Sequence, residues 1–189
     1  MVKKPALDDR DKNQKLRFVD QKVVYVVPFY YGYGISSFNP LLPDIVMIDW
    51  QIRLLRYLVR SGHRVHVKQH PESKTRMDGY FFDELGVFDL EGRFEDVVDQ
   101  KDLVIFDWHQ TTTFGYALKN GNPMVLIDFG RLNLRDEERK YLNRRVAIVA
   151  GYFDGRNRCQ VNWDEMAERL DECPTLDSVE FQSIVMGEV

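Results

Sequence analysis

Only two cysteines, Cys159 and Cys173, occur in a chain of 189 residues, and they lie far apart without paired spacing. That excludes a disulfide framework or a zinc ligand set and predicts two reduced, structural thiols. Long apolar runs are missing too. None approaches the ~18 residues a membrane-spanning helix needs, and the first residues carry no apolar signal core, so a cytoplasmic location is expected. An excess of basic charge is also absent: 26 Lys and Arg face 30 Asp and Glu, a formal net charge of −4. No global attraction for nucleic acid or an anionic membrane follows from that balance. The basic pairs Arg139-Lys140 and Arg144-Arg145 read as the solvated face of a surface helix. There is no Walker A sequence and no Gly-x-Ser-x-Gly elbow, and no internal repeat.

Hydrophobic residues make up 44% of the chain, enough for one core. Residues 1–20 are dominated by charge and amide groups and read as a tail or linker. Residues 21–173 form the predicted domain, and 174–189 a C-terminal tail. Within the domain short apolar runs alternate with helical patterns. Strands are predicted at Val23–Val27, Arg64–Gln69, Leu103–Phe106, Met124–Ile127 and Val146–Val149, with a minor one at Val87–Leu90. Helices are predicted after Asp44, from Thr113, over Arg135–Arg144 and over Asn162–Leu170, with short helical pieces at Tyr80–Leu85 and Phe94–Val98. Strands separated by helices predict an α/β three-layer sandwich, a mainly parallel Rossmann-like sheet of about five strands.

In such a sheet ligands bind outside the carboxyl ends of the strands, and the polar candidates cluster there. The second strand ends in Lys68-Gln69-His70-Pro71. Pro71 disfavours the α conformation at His70 and holds it extended at the sheet's mouth, where it can charge or hydrogen-bond a phosphate, or protonate a leaving oxygen. The central strand runs into Asp107-Trp108-His109-Gln110-Thr111-Thr112-Thr113 and a helix. Backbone N–H groups, hydroxyls and the positive helix end there suit a phosphate-bearing ligand. One threonine suffices as an N-cap; three in succession favour phosphate or ribose contact. Asp107 either caps the same turn or meets a sugar hydroxyl. His109 and Gln110 line the crevice or are merely polar loop residues. Asp128 closes the fourth strand.

Gly32-Tyr33-Gly34-Ile35-Ser36-Ser37 is not a dinucleotide fingerprint: Ser37 replaces the third glycine and the helix starts too late. Gly32 and Gly34 more simply allow a loop to approach the ligand closely, while Tyr30, Tyr31 and Tyr33 either stack on a base or pack beneath the loop. No metal site follows from His63, His66 and His70. His66 and His70 share a strand face but stand ~13 Å apart, whereas zinc draws its ligands to ~2 Å from one centre.

A His-Pro pair closing one strand, then an Asp…Thr-Thr segment opening a helix that ends before a Pro-apolar strand, resembles the C-terminal half of GT-B glycosyltransferases. Asp49–Leu55, Lys68–Glu72 and Phe106–Leu118 are most similar to transferases of bacterial surface-carbohydrate clusters. They are more distantly similar to CDP-glycerol glycerophosphotransferases and bacterial sialyl- and Kdo-transferases. The resemblance covers about Lys22 to Asp154. It implies a donor-nucleotide-binding half, with His70 at a donor phosphate, Thr111 and Thr112 cradling the phosphate, and a CMP- or CDP-linked donor as substrate, no cofactor being needed. It also implies a separate acceptor-binding domain, because GT-B enzymes hold the acceptor with an N-terminal domain that this chain does not carry before its first strand. The alternatives are a CDP-polyol phosphotransferase and a non-catalytic nucleotide-binding or interaction module.

Overall fold

A computed structural model describes residues 21–28, 30, 42–71, 82 and 84–173. The two predicted tails, the loop bearing Gly32 and Gly34, and half of the Tyr80–Leu85 piece lie outside the described residues. Seven strands form one sheet in the order β3-β2-β1-β4-β5-β6-β7. They are β1 (Lys22–Val26), β2 (Arg64–Lys68), β3 (Phe88–Asp89), β4 (Leu103–Phe106), β5 (Met124–Asp128), β6 (Ala147–Phe153) and β7 (Cys159–Val161). All neighbours pair parallel except β6 and β7, which are antiparallel. The helices are α1 (Asp44–Arg60), α2 (Phe94–Val97), α3 (Thr112–Asn120), α4 (Asp136–Arg145) and α5 (Trp163–Glu172).

The fold is the expected Rossmann-like α/β sandwich, and strand alternation explains its three layers. Val23, Tyr25 and Val27 of the β1 segment, with Leu103 and Ile105 of β4, join Trp50, Leu54, Leu55 and Leu58 of α1 and Met166 and Leu170 of α5. The intervening Val24, Val104 and Phe106 face the other way and join Phe94 of α2, Phe114 and Ala117 of α3 and Leu142 of α4. Burial on both faces is why these strands read as continuous apolar runs rather than alternating ones.

Two helices end in the same way. After α1, Gly62 takes φ +87°, its N–H bonds Val59 O and the next N–H bonds Leu58 O. After α3, Gly121 takes φ +79°, with bonds to Leu118 O and, from Asn122, to Ala117 O. Both are Schellman turns, for which glycine is the residue of least strain.

Beyond the five principal strands expected, the sheet holds the minor strand β3 and one strand more, β7, reached where β6 runs on to Phe153 and turns back. The turn is made by Asp154-Gly155-Arg156-Asn157: Asp154 Oδ1 accepts from the N–H of Arg156 and Arg158, and Asn157 adopts φ +56°. The Arg144-Arg145 pair is not a solvated face throughout. Arg145 is buried, its Nη2 donating to Ala117 O at 3.4 Å near the C-terminal end of α3, where the helix dipole favours a cation.

The amino-terminal edge of the sheet is held by polar side chains. Lys22 Nζ lies 2.9 Å from Asp102 Oδ2 and donates to Val97 O at 2.8 Å. Asn122, fully buried, donates to Asp99 O at 2.7 Å and Asp102 O at 3.2 Å. The candidate site lies at the opposite edge.

Candidate functional site

Strand order sets the place of the site. After β1 the chain moves outward to β2 and β3, then crosses back to β4 on the other side of β1. The carboxyl ends of β1 and β4 therefore flank the switch point, where connecting segments diverge and leave a crevice. An open crevice of about 1020 Å³ is found there, reaching from Val27 and Pro28 after β1 to His70 after β2 and Thr111 before α3.

His70, Gln110, Thr111, Thr112 and Thr113 all line this crevice. Thr111 is the N-cap of α3, its Oγ1 accepting from Phe114 N at 3.0 Å. Thr111 C=O accepts from Gly115 N at 3.3 Å. The N–H groups of Thr112 and Thr113 belong to the first turn and have no intrahelical acceptor. One threonine thus organises the helix start, and the next two stand at its positive end.

Asp107 and His109 are placed elsewhere. Asp107 does not cap the turn, a role taken by Thr111. Its carboxylate turns beneath the edge, where Oδ2 accepts from Tyr25 Oη at 2.5 Å and from Trp50 Nε1 at 3.2 Å. Oδ1 is buried without a protein partner among the described residues. Burial pushes the Asp107 carboxyl up to about 6 against the opposing pull of those two donors. Nearby, Tyr30 donates to Gln51 Oε1, and burial raises the hydroxyls of Tyr25 and Tyr30 above the ordinary tyrosine range. Tyr30 is buried, so it packs rather than stacking on a ligand. Asp107 and His109 line a smaller recess between β4 and β5, whose wall they share with Trp108 and Arg131. Burial lowers the His109 imidazole, with Asp128 opposing. Asp128 closes the β5 turn, its Oδ1 accepting from Arg131 N at 2.8 Å and Leu132 N at 3.0 Å.

Four lining residues escaped the sequence reading: Trp108, Arg131, Arg93 at the N-cap of α2 and Glu95 in its first turn. The rule that located His70 also covers them. Arg131 follows β5, Trp108 follows β4, and Arg93 and Glu95 follow β3, each just beyond a carboxyl end. Lys68, the last residue of β2, is buried yet lines the crevice, and its Nζ donates to Gln69 O at 3.2 Å.

Among the described residues no group of three His, Cys, Asp or Glu could hold a metal ion. His66, on the inner part of β2, is buried, stacked on Phe88 at 5.1 Å, and has neither ring nitrogen hydrogen-bonded. Burial, followed by Lys22 and Arg64, lowers its pKa. Also among the described residues, no helix is long and apolar enough to cross a membrane. Both thiols are buried, and burial raises Cys159 to about 11 and Cys173 to about 12, as suits structural groups. No protein-family model matches the chain, and no curated protein matches it.

Proposed function

We propose that this chain is the donor-nucleotide-binding half of a glycosyltransferase of surface-polysaccharide synthesis, taking a CMP- or CDP-linked donor. The observation that carries the reading is the start of α3 at Thr112 inside the switch-point crevice, next to Thr113 and opposite His70. Free N–H groups, two hydroxyls, the helix dipole and an imidazole are the groups that bind a phosphate and stabilise it as it departs. In this mechanism an acceptor hydroxyl oxygen bonds to the anomeric carbon as the bond from that carbon to the phosphate oxygen breaks, and the hydroxyl proton passes to the base that activates the acceptor. His70 and the α3 terminus take up the charge that develops on the phosphate.

The crevice has one described carboxylate, Glu95, while that of Asp107 is turned away into hydrogen bonds with Tyr25 and Trp50. The resemblance to GT-B enzymes, which hold the acceptor with a second domain, supports an acceptor-activating base supplied from such a domain or partner. Calorimetric titration of the purified chain with CMP, CDP and UDP tests the proposal. Saturable binding of a cytidine nucleotide, lost in His70→Ala or Thr112→Val with the fold intact, is expected. No binding by any of the three at millimolar concentration overturns it.

A further inference from the structure

We infer that Asp107 links anion binding in the crevice to proton uptake: the crevice holds a phosphate-bearing ligand more tightly while the Asp107 carboxyl keeps its proton, and less tightly once that proton leaves. The inference rests on the reading of the crevice as a donor-nucleotide site and adds to it a regulation by pH.

Asp107 stands at the junction of the two strands that flank the switch point. It follows Phe106, the last residue of β4, and the next residue, Trp108, lines the crevice, as do Gln110, Thr111 and Thr112. Its side chain turns the other way. There Oδ2 accepts from Tyr25 of β1 and Trp50 of α1, while Oδ1 is buried with no partner among the described residues. Tyr25 lies two residues before Val27, which lines the crevice with Pro28. Trp108 and Arg131 line both the crevice and the recess that Asp107 reaches, so these two side chains form the wall between the carboxyl and the crevice.

Among the described residues no cation pairs with this carboxyl. β1 and the segment after it present the Tyr25 and Tyr30 hydroxyls, both kept neutral by burial. α1 presents Trp50 and Gln51, whose Nε2 is also buried without a partner among the described residues. The charged Asp49 and Arg53 of α1 pair with each other, and Asp44 bears on Tyr30. β7 presents the Cys159 thiol, which burial and then Asp107 push up to about 11. The recess adds Asp128, Arg131 and His109, whose pKa burial lowers. The Arg131 guanidinium lies over the Trp108 ring, 6.0 Å from its centroid. An ionised Asp107 thus has two donors on one oxygen and none on the other, too few to replace water. Burial accordingly pushes the carboxyl up to about 6.

A phosphate at the start of α3 adds negative charge close to this group. Thr112 is five residues beyond Asp107, at most about 18 Å along an extended chain. The path between them runs through protein, where charges are screened less than in water. The bound anion therefore opposes ionisation of Asp107, raises its pKa and draws a proton from solution. By reciprocity the proton strengthens anion binding by the same factor. Affinity is then greatest below about pH 6, where Asp107 is neutral in free protein and complex alike. It falls as pH rises from about 6 to the higher pKa of the complex.

The test is calorimetry of the full chain with CMP, near about pH 6.5, in two phosphate-free buffers of different ionisation enthalpy, which gives the protons taken up per nucleotide bound. Wild-type protein is expected to take up about 0.3 proton more than Asp107→Asn, and to lose about threefold more affinity between about pH 5.5 and about pH 8. The CMP phosphate, His70 and His109 titrate in both proteins and cancel in the comparison. Tyr25→Phe removes a donor that holds the carboxyl down. Its loss of affinity is expected to move to higher pH, a shift that a purely structural role would not produce. Wild-type uptake no greater than that of Asp107→Asn overturns the linkage and leaves the nucleotide site standing. An unmoved pH profile in Tyr25→Phe does the same, and decides alone if Asp107→Asn fails to fold. Absence of CMP binding to wild type at millimolar concentration removes the crevice reading itself, and the linkage with it.

Discussion

Tyr25 donates its hydroxyl to Asp107 Oδ2 across a distance of 2.5 Å, and the same oxygen accepts from Trp50 Nε1, so one buried carboxylate ties β1, β4 and α1 together. The carboxyl is pushed up to about 6 from 3.8, which means the folded state holds its proton more tightly than the unfolded chain does. Its contribution to stability is then fully present below about pH 4 and is lost as pH rises through about 6. Asp107→Asn keeps an acceptor for Tyr25 and Trp50 without the titration. In urea denaturation the wild type should lose up to about 3 kcal/mol relative to the Asn variant between pH 4 and pH 7.5. The lowered histidines His63, His66 and His109 act in the opposite sense, but they are common to both proteins and cancel in the difference. A difference that stays flat with pH would contradict this account.

The threonine cluster separates into two tasks that stability and binding should report independently. Thr111→Val removes the acceptor for Phe114 N and should cost about 1 kcal/mol of stability, the usual loss of an N-cap. Thr112→Val should leave stability within about 0.5 kcal/mol while weakening nucleotide binding. Denaturation and calorimetry on the same two variants check the division. A cap-sized stability loss in Thr112→Val with unchanged affinity would reverse the assignment.

How much of this was legible beforehand depended on the range of the signal. The six parallel strands and the start of α3 follow from local patterns: apolar runs, Gly62 and Gly121 as stops, and polar residues beyond each strand. His70, Gln110 and the three threonines therefore reach one crevice as the strand-end rule requires. The orientation of Asp107 was not legible, because it depends on Tyr25 and Trp50, 82 and 57 positions away in sequence. Arg145 misled for a related reason: its charge suggests water, whereas the C-terminal end of α3 receives it from another element. The β7 strand is only three residues long and carried little apolar signal of its own.

That short strand is held to α1 by one side chain. Arg53 donates through Nη2 to Cys159 O at 2.5 Å and through Nη1 to Gln160 Oε1 at 3.2 Å, while Asp49 accepts from its Nε and Nη2. Arg53→Met keeps the stem but removes every donor. It should destabilise the protein by about 1–3 kcal/mol, because the partly buried acceptors are left unsatisfied. Amide exchange should accelerate in Cys159–Val161 before it does in β1 or β4. Uniform acceleration across the sheet would show that Arg53 is not specific to the hairpin.

Gly151 tests packing on the recess side of the site. It lies in β6 beneath the Phe129 ring, and a Cβ there would overlap the ring's Cδ1 and Cε1 atoms. Phe129 is itself held edge-on by Trp50 at 5.1 Å and by Phe153 at 5.9 Å, so it has little freedom to withdraw. Gly151→Ala should therefore cost about 1–3 kcal/mol, the range for overpacking. Gly155, in the turn two residues beyond Phe153, has open space around its would-be Cβ and no positive φ. Gly155→Ala should stay within about 0.5 kcal/mol of wild type. Thermal or urea denaturation of the pair separates steric crowding from a general intolerance of alanine in the hairpin. Equal losses in both variants would rule out the Phe129 contact as the cause.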